Sequence, residues 1–199
     1  MPTLKSKMLA KDFKASFLSC EKDTETILKK LFVESKPYSD ILKKLLIIDQ
    51  PDCLDSTQAQ YKLLIDKYSL HDLFEKEYII LTPRLDKLMH NELQSTILIE
   101  FKTFTPTTNS YYRDCTVSFT IVCPLDIWQL NDYKLRPYQI AGYIDGILNN
   151  SKLSGIGTLQ FEGASEAPLD ENYGGLILRY IATHGDDDKD TFEDIWSTE

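Results

Sequence analysis

The sequence predicts an α+β protein: N-terminal helices, then an antiparallel sheet with a long β-hairpin and one packed helix. Three observations carry this reading. Apolar residues before about residue 76 recur at helical spacing, two runs of about ten residues between 96 and 123 alternate with period two, and a single helical stripe returns after 136. The division that follows is a helical segment at 1–76, a sheet-plus-helix core at 77–184 and an acidic C-terminal tail at 185–199.

In the helical segment, Asp23 or Thr24 is placed to cap a helix carrying Ile27, Leu28, Leu31 and Phe32. Ser35-Lys36-Pro37 interrupts it. Ser39 is expected to cap a second helix, with Ile41, Leu42, Leu45, Leu46 and Ile48 inward and Lys43, Lys44 and Asp49 outward, broken at Pro51-Asp52. A third runs from about Thr57 to Tyr68 on Tyr61, Leu64, Ile65 and Tyr68. Ser69 then caps a turn holding Leu70, Leu73 and Phe74.

The period changes near residue 77. Tyr78 to Leu81 forms a short β-rich run stopped by Thr82-Pro83. From Thr96 to Thr105, Ile97, Ile99, Phe101 and Thr103 alternate with Leu98, Glu100, Lys102 and Phe104, and the two charges mark the second face as wet. Residues 106–110 carry turn chemistry. Tyr112 to Cys123 returns with Val117, Phe119 and Ile121 on one face and Thr116, Ser118, Thr120 and Val122 on the other. Such a hairpin exceeds the usual strand length and needs a surface to pack against.

Pro124 ends the second strand, and Arg136-Pro137 opens a helix with proline in the first turn. Its stripe is Ile140, Ile144, Ile147 and Leu148, and Asn149-Asn150 stops it. Gly142 and Gly146 are expected to allow close approach to the sheet. Two further strands are expected at 157–163 and 174–183. The acidic end is read as a loose tail in which Phe192, Ile195 and Trp196 form a short partner-binding helix.

Composition narrows the function classes. Of 199 residues, 42% are hydrophobic, enough for a core and too many for a disordered chain. The net charge of −9 argues against gripping a phosphate backbone and is compatible with a surface that DNA slides past. Met1 to Ala10 lacks an apolar run, so no signal peptide is expected, and no stretch approaches the roughly 20 apolar residues of a membrane helix. Cys20, Cys53, Cys115 and Cys123 form no C-x-x-C pair and are expected as reduced thiols in the cytosol. Cys115 and Cys123, eight apart on one strand, share a face and are read as core side chains.

Catalytic motifs are absent: no phosphate loop, nucleophile elbow, zincin helix or dinucleotide fingerprint occurs. Gly155-Ile156-Gly157 reads as a turn. His184-Gly185-Asp186-Asp187-Asp188 is the most metal-like string, weighed against a solvated tail. The expectation is a non-enzyme with no cofactor and no metal. Two alternatives stay open: a cytosolic adaptor or regulatory binding protein using the hairpin or acidic tail, and a metal-dependent enzyme using His184 and Asp186–Asp188.

Four short runs add a family resemblance: T-V-S-F-T-I-V-C-P-L-D-I-W at 116–128, R-P-Y-Q-I-A-G-Y-I-D-G-I-L at 136–148, G-I-G-T-L-Q-F at 155–161 and Y-G-G-L-I-L-R-Y at 173–180. Over about residues 77–182 the chain resembles the tail-terminator and neck ring proteins of tailed bacteriophages. The resemblance implies a structural virion protein of the head–tail connection, located in the neck or tail and in host cytoplasm during assembly, with no membrane partner. It implies a homo-oligomeric ring, a hexamer or higher, that contacts other neck and tail proteins and passes DNA through its lumen without specific binding. Tyr111, Tyr112 and Arg113 at the hairpin tip, and Trp128 beyond the strand, are the candidate subunit or partner contacts, with ordinary exposed tyrosines as the plainer reading.

Overall fold

The computed structural model describes residues 19–81, 93–106, 112–153, 156–167, 169 and 171–185. Helix α1 spans Ser19–Lys29 and runs into a π turn at Lys30–Glu34; α2 is Tyr38–Ile47, α3 Ala59–Ile65 and α4 Leu70–Glu75. Strands β1 (Ile79–Ile80), β2 (Thr96–Pro106) and β3 (Tyr112–Pro124) follow, then α5 (Arg136–Leu148). A small hairpin of β4 (Lys152–Leu153) and β5 (Gly157–Thr158) precedes β6 (Gln160–Glu166) and β7 (Tyr173–Gly185).

The main sheet has the order β1-β2-β3-β7-β6. The predicted α+β architecture is what the chain adopts, with one parallel pair, β1 on β2, in an otherwise antiparallel sheet. One face of the sheet carries the core. Ile97 and Ile99 of β2, Cys115 to Cys123 at every second position of β3, and Leu176, Leu178, Tyr180 and Ala182 of β7 are buried in one cluster. The same cluster takes Ile27, Leu31 and Phe32 from α1 and its π turn, Leu42, Leu45 and Leu46 from α2, and Ile140, Ile144 and Leu148 from α5. Burying a large aliphatic side chain contributes about 1.5–3 kcal/mol, so this shared cluster binds helices and sheet into one packing unit.

Several local expectations are corrected. Asp23 and Thr24 lie inside α1, and the Thr24 hydroxyl donates back to Cys20 O at 2.7 Å. Ser39 sits within α2 behind Pro37, with a buried hydroxyl that has no hydrogen-bond partner. Only Ser69 caps as expected, in a reciprocal box with Asp72. Leu64 is more than one-third exposed, so α3 meets the core through Ile65. Lys43 is half-withdrawn from solvent, donates to Tyr68 O at 3.3 Å, and has a lowered pKa because burial disfavours its charge.

The face of β2 and β3 expected to be wet is dry at one end. Leu98 and Val122 pack with Ile80, Leu169 and Tyr173, and Ser118 and Thr120 are buried beside them. Glu100 and Lys102 pair at 2.7 Å further along. Beyond Lys102 the register shifts at a bulge where Thr103 takes φ 52°, which turns Phe104 toward the core. The strand expected at 157–163 is split between β5 and β6.

Gly142 and Gly146 also differ from expectation. Both lie on the exposed side of α5, where an added Cβ would meet nothing within 4 Å. The close approach belongs instead to Gly175, where a Cβ would fall 1.7 Å from the backbone oxygen of Ile121.

Among the described residues, Arg136 is a fully buried cation. Arg136, the first residue of α5, donates from Nε to Ile127 O (2.8 Å), from Nη1 to Leu45 O (2.8 Å) and Ile48 O (2.6 Å), and from Nη2 to Asp49 O and Gln50 O (3.0 Å each). All five guanidinium N–H donors are used, and every acceptor is a backbone carbonyl. Four of them lie at or just beyond the C-terminus of α2, where unpaired carbonyls and the helix dipole favour a positive charge.

Candidate interaction surface

The candidate contacts from sequence fall at opposite ends of one strand. Tyr112 pairs with Gly185, and Arg113 lies between Pro106 and His184, all at the hairpin end of β3. Trp128 lies past Pro124 at the other end. Twelve steps of about 3.4 Å put some 40 Å between the two. Tyr111 and Asp186 to Asp188 lie outside the described residues, as does the acidic tail with its expected Phe192–Trp196 helix. The structure therefore does not bring Tyr112 and Arg113 together with Trp128.

Trp128 belongs to a built feature. The turn of 3-10 helix at Leu125–Ile127 is held by Leu125 N–H to Asn172 O (2.8 Å), and Trp128 O accepts from Arg136 N–H (2.8 Å). The indole lies over Gly174, where an added Cβ would come within 3.1 Å of Cζ3. Beside it is a shallow cleft of about 300 Å³ lined by Leu125, Asp126, Trp128 and Gln129. Its lining mixes the apolar Leu125 and Trp128 side chains with the Asp126 carboxylate and the Gln129 amide.

Sequence reading missed the adjoining turn. Gln129 and Leu135 form an antiparallel bridge, and Leu130 N–H donates to Lys134 O at 2.8 Å. Asp132 and Tyr133 between them take φ of 60° and 61°. Two consecutive left-handed residues make a hairpin turn of the kind usually filled by Asn-Gly, and a tyrosine there is a strained choice. The turn is anchored by Asn131 N–H to Pro51 O at 2.9 Å, and its tip presents Tyr133 fully to solvent. Asn131-Asp132 was the available signal, since both residue types tolerate this region.

The cysteines stand apart from this surface. Burial pushes the Cys115 thiol up to about 12, with Cys20 and Asp23 adding to it, and pushes Cys123 up to about 11. Both are free thiols packed in the core and protonated at neutral pH, the state of an inert cysteine. Among the described residues no group of three or more His, Cys, Asp or Glu is arranged to hold a metal ion. None of their helices is long and apolar enough to cross a membrane.

No curated protein matches the chain. The YomW family matches it over residues 39–182, which takes in α2 through nearly all of β7, including Arg136, the Trp128 cleft and the Tyr133 turn. That family carries a phage-derived name, and the chain is accordingly phage-associated. With the greater part of its length matched, the chain belongs to the YomW family.

Proposed function

We propose that the protein is a structural, non-enzymatic subunit of the phage head–tail connection, a tail terminator or neck ring protein. In this reading it closes into a homo-oligomeric ring of six or more copies, contacts other neck and tail proteins, and passes DNA through its lumen. It resides in the virion and assembles in host cytoplasm.

The observation that carries this reading is the sheet with its two open edges. Among the described residues β1 covers β2 only at Ile97 and Leu98, leaving the rest of that edge without a partner strand. At the other side β6 pairs with β7 alone. Unpaired edges on opposite sides of one sheet are the geometry that a heterologous contact between neighbours satisfies, and such contacts form rings when the rotation closes. The phage-associated family and the net charge of −9 are consistent with a conduit that does not hold DNA.

Native mass measurement of the full chain tests it. The expected result is one closed oligomer of at least six copies that persists on dilution. A chain that stays monomeric at high concentration, alone and with the phage's other neck proteins, counts against it.

A further inference from the structure

We propose that the acidic end of the fold, where Leu125, Tyr133, Leu135 and Tyr138 are exposed, is a docking surface for residues 1–18 of a neighbouring copy of this chain. The inference rests on the ring reading only in needing copies side by side.

The surface lies where three loops meet. Leu125 N–H donates to Asn172 O, Asn131 N–H donates to Pro51 O, and Arg136 holds Asp49 O and Gln50 O. Leu125, Tyr133, Leu135 and Tyr138 are each more than one-third exposed, a local density of apolar surface that marks interaction sites. The same loops carry Asp49, Asp52, Asp55, Asp126, Asp132 and Glu171, all exposed except the half-buried Asp52. Among the described residues, the cations tied to them are Lys44, close to Asp55, Lys134, 3.7 Å from Asp132, and Arg136, sealed beneath. Carboxylates outnumber these cations two to one, so the partner that fits is basic and carries apolar side chains.

Residues 1–18 have that composition. Lys5, Lys7, Lys11 and Lys14 stand against a single acid, Asp12, in a chain whose net charge is −9, and Leu9, Phe13 and Phe17 recur every fourth residue among them.

Reach decides whose segment it is. The segment joins the fold at Ser19, the start of α1. That helix touches β4, just past the end of α5, and Cys20 lies near enough to Cys115 for its charge to bear on that thiol. Both contacts are at the far end of the sheet from Trp128: nine steps along β3, about 30 Å, separate Cys115 from Pro124. Phe13 is six residues from Ser19 and spans at most about 22 Å fully extended, and Phe17 far less. Phe13, Lys14 and Phe17 therefore reach this surface only from another copy.

The test places a benzophenone photo-crosslinker at Phe13 of the full-length protein and irradiates a mixture of ordinary and heavy-isotope-labelled copies. Mass spectrometry of the digest locates each cross-link and tells contacts between copies from contacts within one. The expected result is cross-links to residues 49–55 or 125–138 that join labelled to unlabelled copies. Asp126→Lys with Glu171→Lys, both at exposed positions and checked for fold by circular dichroism, is expected to lower their yield about tenfold by setting like charges face to face. Adding Lys7→Glu and Lys11→Glu is expected to restore it. Cross-links that are absent, confined to one copy or directed elsewhere overturn the docking. So does a yield that the reversed surface leaves unchanged or that the reversed segment does not recover. Native mass of the same sample separates the two readings: a ring without these cross-links overturns this contact alone, and cross-linked copies that form no ring overturn the ring alone.

Discussion

Arg136 Nη1 donates to Ile48 O at 2.6 Å, across 88 residues of sequence, and the same nitrogen holds Leu45 O at 2.8 Å. This contact joins the end of α2 to the start of α5 and, through Nε to Ile127 O, to the turn that carries Trp128. Arg136→Ala removes five charge-assisted bonds and strands buried carbonyls, each worth about 1–3 kcal/mol when unsatisfied. The expected loss is about 4 kcal/mol or more by urea denaturation. Arg136→Lys keeps the charge but not the planar fork, and recovers only part of it.

Gly175 and Ile121 define the second prediction. A methyl group at 175 would overlap the Ile121 carbonyl, so β3 and β7 cannot keep their present approach. Gly175→Ala is expected to destabilise by about 3 kcal/mol or more, the upper range for overpacking a site that cannot yield. Thermal unfolding checks this, and a variant as stable as the wild type would show that the strands are further apart.

Gly142 and Gly146 give the opposite sign. Both are exposed in the interior of α5, with open space where a Cβ would sit. Alanine at each lowers unfolded-chain entropy and improves helix propensity by about 0.5–1 kcal/mol. The double variant is expected to melt roughly 2–8 °C higher.

The hairpin was legible because its alternation is strict: Val117, Phe119 and Ile121 face the core as period two requires. The bulge was not, because Thr103 is β-branched and gives no warning of a left-handed backbone. Arg136 was read as a helix opener, which it is. Its role depends on carbonyls 86 to 91 residues upstream, and backbone acceptors leave no side-chain signature. Gly174 and Gly175 read as the start of a strand, while the reason for each, an indole and a carbonyl, exists only after folding. The surface at Trp128 was half visible, the tryptophan by its type and Tyr133 not at all.

Thiol chemistry offers a pH test. Cys20 and Cys123 are pushed up to about 11 and Cys115 to about 12, with burial the leading cause in each. A raised folded-state pKa means the native thiol keeps its proton while the unfolded one loses it. Stability from these groups is therefore full below about pH 8.5 and falls as pH rises toward 11–12. Urea midpoints measured from pH 7 to 10 should decline above pH 9. Replacing Cys115 with alanine should flatten that slope, and an unchanged slope would contradict the assignment.

The ring reading meets its most direct test in purified particles of the phage that carries this chain. Quantitative mass spectrometry of those virions, scaled to a tail protein of known copy number, counts the subunits per particle. The account predicts a fixed ring-sized number of at least six. Absence of the protein from intact virions would contradict it.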